Sequence, residues 1–210
     1  MNIVEAYIEQ NKQCIILMSG FSGSGKSLIG KSLMKDINRS KSDKSKDFKF
    51  INLNDFLKSE SEYNVSVDVS GLKIIDWDSP DAIDWVKFNE NINENKKDRV
   101  GIIVSGFAFP KDKLNFTVDF HIHFKISKDE LIKNRHEFTQ EKLDDKTSRV
   151  GEIGEEMEKK ILNKITFPHY LKSLENSEFT KFIVVTFGEI KKSYDETFNF
   201  TMSMIKKKLN

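Results

Sequence analysis

Residues Gly20-Phe21-Ser22-Gly23-Ser24-Gly25-Lys26-Ser27 lie just after an unbroken apolar run, Cys14 to Met18. They open a segment in which Leu28, Ile29, Leu33 and Ile37 recur at helical spacing. The octapeptide satisfies the phosphate-loop pattern in full, and its setting, buried strand then tight loop then helix, is the one its mechanism needs. Gly20, Gly23 and Gly25 let the backbone turn tightly and bring its N–H groups against phosphates. The helix start adds its positive dipole end. Lys26 supplies a mobile cation for the β- and γ-phosphates, and the Ser27 hydroxyl is a Mg²⁺ ligand. Ser22 and Ser24 belong to the same ATP-binding loop. A flexible Gly/Ser turn with no ligand would need neither this order nor this setting.

Further segments along the chain alternate in type. Phe50 to Leu53, Val100 to Ser105, Phe120 to Ile126 and Phe182 to Phe187 read as strands. Pro80 to Asn91 reads as a helix with Ser79 as N-cap and Pro80 in its first position. Asp129 to Phe138 reads as helical, and so does Ile161 to Leu174, with a break near Pro168. Tyr194, Phe198, Met202, Ile205 and Leu209 mark one face of a final helix. Asn38 to Lys49 is a solvated loop, and Glu141 to Glu158 is densely charged with few apolar anchors. Strands alternating with helices imply an α/β fold with a parallel sheet covered on both faces. Ligands in such sheets bind at the carboxyl ends of the strands, where the phosphate loop already sits.

At 210 residues the chain suits one good core, so the expectation is a single domain over 1–210 with a lid segment at about 136–160. Lys and Arg number 34 against 33 Asp and Glu, so no general basic surface points to nucleic acid, and any anion site is local. Cys14 is the sole cysteine, which excludes an internal disulfide and a thiolate metal cluster. No signal-like or membrane-crossing apolar run is seen, and the expected setting is cytoplasmic, with no membrane partner.

The stretch Asp78-Ser79-Pro80-Asp81-Ala82-Ile83-Asp84 resembles the Asp-x-Pro-Asp-Ala-x-Asp segment of the uridine kinase family, and Asp76-Trp77 before it looks like the nicotinamide riboside kinases of that group. Asn54 to Lys58, Gly101 to Phe107, Asp119 to Arg135 and Ile165 to Leu171 are similar to further pieces of the family in the same order. The resemblance implies a three-layer P-loop kinase sandwich, five parallel strands in the order 2-3-1-4-5, and a small helical lid. It implies transfer of the ATP γ-phosphoryl group to the 5′-hydroxyl of a ribonucleoside, uridine or cytidine or nicotinamide riboside, with Mg²⁺. Asp78 would hold the ribose hydroxyls, Arg135 would lie near the acceptor and the transferring phosphate, and Arg149 would close over the phosphates. Two of only four arginines, Arg135 and Arg149, fall in the lid region, where planar phosphate recognition favours arginine over lysine.

Two positions depart from the family. Asn54 stands where an aspartate is usual, leaving Asp55, one residue on, as the candidate base and Mg²⁺-orienting group; the shift either re-aims a carboxylate or removes the base. Ser105 stands where a glutamate usually precedes the glycine, here Gly106. Other readings stay open beside the nucleoside kinase: a kinase of another small hydroxyl compound, such as a sugar acid or pantothenate, or an ATP-binding protein without turnover. Asp78 has a plainer reading as part of a helix start, and Arg149 as solvated surface. His121 and His123 alternate on one strand face as a metal pair would, without a third ligand in the sequence.

Overall fold

The computed structural model describes residues 5–7, 10, 13–40, 47–132, 155–186 and 188–209. Its centre is a five-stranded parallel sheet in the order β2-β5-β1-β6-β7. These strands are β1 (Cys14–Gly20), β2 (Phe48–Asn52), β5 (Gly101–Gly106), β6 (Phe120–Lys125) and β7 (Lys181–Val184). Counting only the strands of this sheet, the order is 2-3-1-4-5, as expected. The helices are α1 (Lys26–Arg39), α2 (Trp85–Asp98), α3 (Glu155–Ile161), α4 (Phe167–Glu175) and α5 (Ile190–Leu209).

The continuous apolar runs read as central strands because both faces of the sheet are covered. Alternate residues of β1 serve the two sides. Ile16 and Met18 join Ile29, Leu33 and Ile37 of α1 and Ile205 of α5 in one buried cluster. Ile15 and Leu17 join Ile102 and Val104 of β5 with Phe88 and Ile92 of α2 in the other. The result is three layers, helix on sheet on helix, with β1 in the middle pairing β5 and β6 in parallel register.

The segment after Asp78 departs from the expected helix. Pro80–Ala82 forms only a 3-10 turn, capped by Ser79 Oγ accepting from Asp81 N at 3.2 Å. The chain then extends through Ile83, which bridges Leu57, and α2 begins at Trp85 with Asp84 as its N-cap, accepting from Lys87 N at 3.0 Å. Two capping residues compete here, and the bridge at Ile83 gives the α-helix to the second. A second departure is the antiparallel hairpin β3 (Ser66–Val69) and β4 (Leu72–Ile75), which the sequence reading passed over. Ser70 and Gly71 both have positive φ (56° and 86°), the conformation a two-residue hairpin turn demands.

The expected break near Pro168 takes a specific form. Leu162–Thr166 is a turn of π-helix leading directly into α4, whose first turn holds Pro168. Proline has no N–H to give to the preceding turn, and a widened turn before it accommodates that loss. The helix expected over Asp129 to Phe138 is described only at its start, 128–132. Arg135, Arg149 and most of the expected lid lie outside the described residues. Among the described residues no helix is long and apolar enough to cross a membrane.

Candidate active site

The loop between β1 and α1 takes the conformation its glycines allow. Gly25 has φ +75° at the α1 N-cap, and Gly20 has φ +148°. A Cβ on Gly20 would lie 2.7 Å from Phe124 O, so β6 closes the space behind the loop. Ser24 N donates to Phe21 O at 3.1 Å, and Gly20 N to Phe107 O at 3.2 Å. Ser24 Oγ is buried and has no hydrogen-bond partner among the described residues. A buried hydroxyl without a partner is costly unless something else meets it, and a phosphate oxygen is a suitable partner.

Lys26 is buried, and its Nζ donates to Phe21 O at 2.9 Å within the same loop. Burial pushes its pKa down to about 8, against the opposing pull of the Asp78 carboxylate. Ser27 Oγ shares a hydrogen bond of 2.7 Å with Ser105 Oγ. Serine at 105 thus stands beside the candidate Mg²⁺ ligand, giving a second neutral oxygen where the family resemblance implied a carboxylate. Among the described residues no group of three or more His, Cys, Asp or Glu is placed to hold a metal. A Mg²⁺ ion at Ser27 would therefore draw most of its ligands from phosphate oxygens and water, which suits Mg²⁺.

Beside the loop lies a cleft of ≈ 150 Å³. Ser22 and Lys26 form its phosphate-loop wall, Asn54 and Asp78 contribute polar groups, and Trp77, Trp85 and Phe107 are its aromatic lining. The structure therefore brings Lys26 and Asp78 together and adds Asn54, while Ser27 pairs with Ser105 outside the cleft lining. Asp55 is exposed on the 3-10 turn Leu53–Phe56 and does not line the cleft; its neighbour Asn54 does. Asp78 is more than a helix start: the capping falls to Ser79 and Asp84, and Asp78 Oδ2 accepts from Thr166 Oγ1 at 2.6 Å.

The histidine pair of β6, read without a third metal ligand, belongs to a hydrogen-bonded chain. Glu178 O can only accept, so His121 Nδ1 carries a proton and donates to it at 3.0 Å. His121 Nε2 then accepts from Ser19 Oγ at 2.6 Å, and Ser19 Oγ accepts from His123 Nδ1 at 2.8 Å. His123 Nε2 is left to accept from the Tyr170 hydroxyl at 2.9 Å. Burial pushes His121 down to about 4 and His123, helped by His121, to about 3, so both rings are neutral near pH 7 and the proton order is unique. The chain ends at Tyr170, whose ring stacks on Phe21 of the phosphate loop with centroids 4.0 Å apart. Sequence reading passed over Thr166 and Tyr170 as functional groups, although both lie in the quoted segment Ile165 to Leu171; nothing local marks them, since their partners lie about 90 and 150 residues away in the sequence.

The lysine shift carries a pH signature. Bound phosphates favour the ammonium form, so affinity for ATP is full below the free-state value and is lost as pH rises through it. Titration calorimetry should show ATP affinity nearly constant from about pH 7 to about 8, then falling by up to about tenfold per unit above that. The fall should vanish in Lys26→Ala.

No family model matches the sequence, and no curated protein matches it. Among solved structures the chain is similar to a shikimate kinase from Bacteroides thetaiotaomicron, at 14% identity over 90% of this chain and 98% of that one, with a TM-score of 0.45. It is also similar to a gluconokinase from Sinorhizobium meliloti 1021, at 13% identity over 91% of each chain, with a TM-score of 0.48.

Proposed function

We propose that the chain is an ATP-dependent kinase that phosphorylates a hydroxyl of a small acceptor, with a ribonucleoside as the acceptor class. The observation that carries this reading is a complete phosphate loop opening onto a cleft where Lys26 and Asp78 stand together. Phosphoryl transfer asks little covalent chemistry of a protein, and mainly positioning and charge. Lys26 and the loop N–H groups hold the triphosphate. The acceptor hydroxyl gives its proton to the Asp78 carboxylate as its oxygen bonds to the γ-phosphorus, and ADP leaves with the bridging oxygen. The Ser27 hydroxyl would be the protein's ligand to a Mg²⁺ ion, which when bound would supply charge neutralisation at the phosphates.

The lining of the cleft favours a nucleoside over an anionic sugar acid. Trp77, Trp85 and Phe107 offer flat apolar surfaces for a base, and Asn54 adds a neutral polar group to the cleft wall. Lys26 is the only cation among the described residues of the cleft, and it is committed to phosphate. A carboxylate acceptor would meet Asp78 without a cation of its own, whereas a neutral nucleoside or the cationic nicotinamide riboside would not be repelled.

The test is ADP release against a panel of nucleosides, sugar acids and pantothenate, with Mg²⁺ varied. Turnover is expected with uridine, cytidine or nicotinamide riboside, and none with the acids. Turnover of an acid alone would overturn the acceptor assignment. Tight ATP binding with no turnover of any compound would favour a second reading, a nucleotide-binding protein without catalysis, for which the hydroxyl-only pairing of Ser27 with Ser105 is the supporting observation.

A further inference from the structure

The turn that joins the π-helix to α4 touches both halves of the site. On one side Thr166 Oγ1 donates to Asp78 Oδ2 at 2.6 Å, and His169 Nε2 meets Asp76 Oδ2 at 2.7 Å. Residues three apart share a helix face, and Thr166 and His169 are so spaced. Asp76 and Asp78 are two apart on the loop that follows β4, so a pair on the helix meets a pair on the loop. Trp77, between them, lines the cleft. Lys164, two residues before Thr166, donates to Asp68 O of β3 at 2.6 Å. On the other side Phe167 and Tyr170 pack on Phe21 of the phosphate loop, with centroids 4.9 and 4.0 Å away, and Tyr170 is tied to the sheet through His123.

These contacts are built rather than incidental. Thr166 is 1% exposed and Asp76 is 7% exposed. Asp76 Oδ1 is buried with no partner among the described residues, so His169 carries the side-chain pairing of that carboxylate. Losing one partner of such a group leaves a desolvated charge, which is far more costly than losing a surface contact. The π-turn sets the register. An extra residue in the turn before α4 rotates the following side chains by about 100° relative to an unbroken α-helix. That rotation fixes which residues of α4 face the loop and which face Phe21.

We infer that Thr166 and His169 are positioning residues that clamp the Asp76–Asp78 loop to α4, so that this loop and the phosphate loop move as one unit and nucleotide binding is felt at Trp77. The clamp rests on the reading of the cleft as an acceptor site only for its effect on turnover; its mechanical part does not. Thr166→Val removes the hydroxyl at constant shape, and Thr166→Ser keeps it. His169→Phe removes the ring nitrogen, and His169→Gln retains a donor.

The experiment uses Trp77 emission in a Trp85→Phe background, with ATP affinity measured alongside. With the clamp intact, ATP should change Trp77 emission and lower its quenching by acrylamide. In Thr166→Val and His169→Phe that response should be lost with ATP affinity held within about twofold, and Thr166→Ser should restore it. For any acceptor that the panel turns over, KM should rise about tenfold to a hundredfold in Thr166→Val, with ATP KM little changed. A Trp77 response to ATP that persists in both Thr166→Val and His169→Phe overturns the clamp, whatever the acceptor. Loss of the response in these variants, restored by serine, in a protein that turns over nothing, supports the clamp and overturns the kinase reading instead.

Discussion

Replacing Lys26 with alanine is expected to leave a folded protein that binds ATP at least about tenfold more weakly and transfers phosphate about a thousandfold more slowly or not at all. The two effects have one source. The Lys26 ammonium is buried, lies in the loop proposed to hold the phosphates, and is the only cation among the described residues of the cleft. Its charge would neutralise the β- and γ-phosphates in the ground state and more strongly in the transition state, where charge shifts toward the leaving oxygens. The cost of keeping that charge buried appears in the depressed pKa, with a value of about 8. Removing it should therefore not lower thermal stability in the absence of nucleotide, and Lys26→Met, which keeps the stem without the charge, should behave likewise. Calorimetry and a melting curve on the same sample separate these outcomes. Unchanged ATP affinity would show that the loop is not the triphosphate site.

The phosphate loop and the sheet were readable because their signals are local. Cys14 to Met18 is apolar throughout and becomes the central strand, buried on both faces. The glycines sit where positive φ is required. The misplaced α2 start shows the limit of local signals. Ser79 with Pro80 is a good cap, and so is Asp84, and the choice between them depends on Ile83 pairing with Leu57, some 26 residues away in sequence. The β3–β4 hairpin was also readable in principle, since Ser70-Gly71 lies between residues of alternating character, yet a short exposed hairpin carries little apolar signal. The role of the histidine pair was hidden for another reason. Alternation places His121 and His123 on one face, but only the fold brings Ser19 between them, 102 and 104 residues from its partners. The same applies to Thr166 and Asp78, whose 88-residue separation hides the contact.

Asp78→Asn is expected to lower kcat by about a hundredfold to a thousandfold, together with a rise in acceptor KM. Asp78 is the carboxylate among the described cleft residues, and an amide accepts a proton far less readily than a carboxylate does. The Thr166 hydrogen bond should survive, because the asparagine carbonyl oxygen still accepts from the threonine hydroxyl, so the loop keeps its place and the loss is chemical. Asp55→Asn, by contrast, is expected to change kcat by less than about twofold, since a general base must reach the hydroxyl it deprotonates and Asp55 lies outside the cleft lining. Asn54 does line the cleft, so Asn54→Asp places a new carboxylate against the same space. In the Asp78→Asn background that substitution should restore part of the lost rate; in the wild-type background, where Asp78 already serves as base, it should change kcat little. Steady-state rates across pH for these four variants decide the matter. A large loss in Asp55→Asn, with Asp78→Asn near wild type in kcat, would return the base to position 55 and leave Asp78 as a binding group for the acceptor alone.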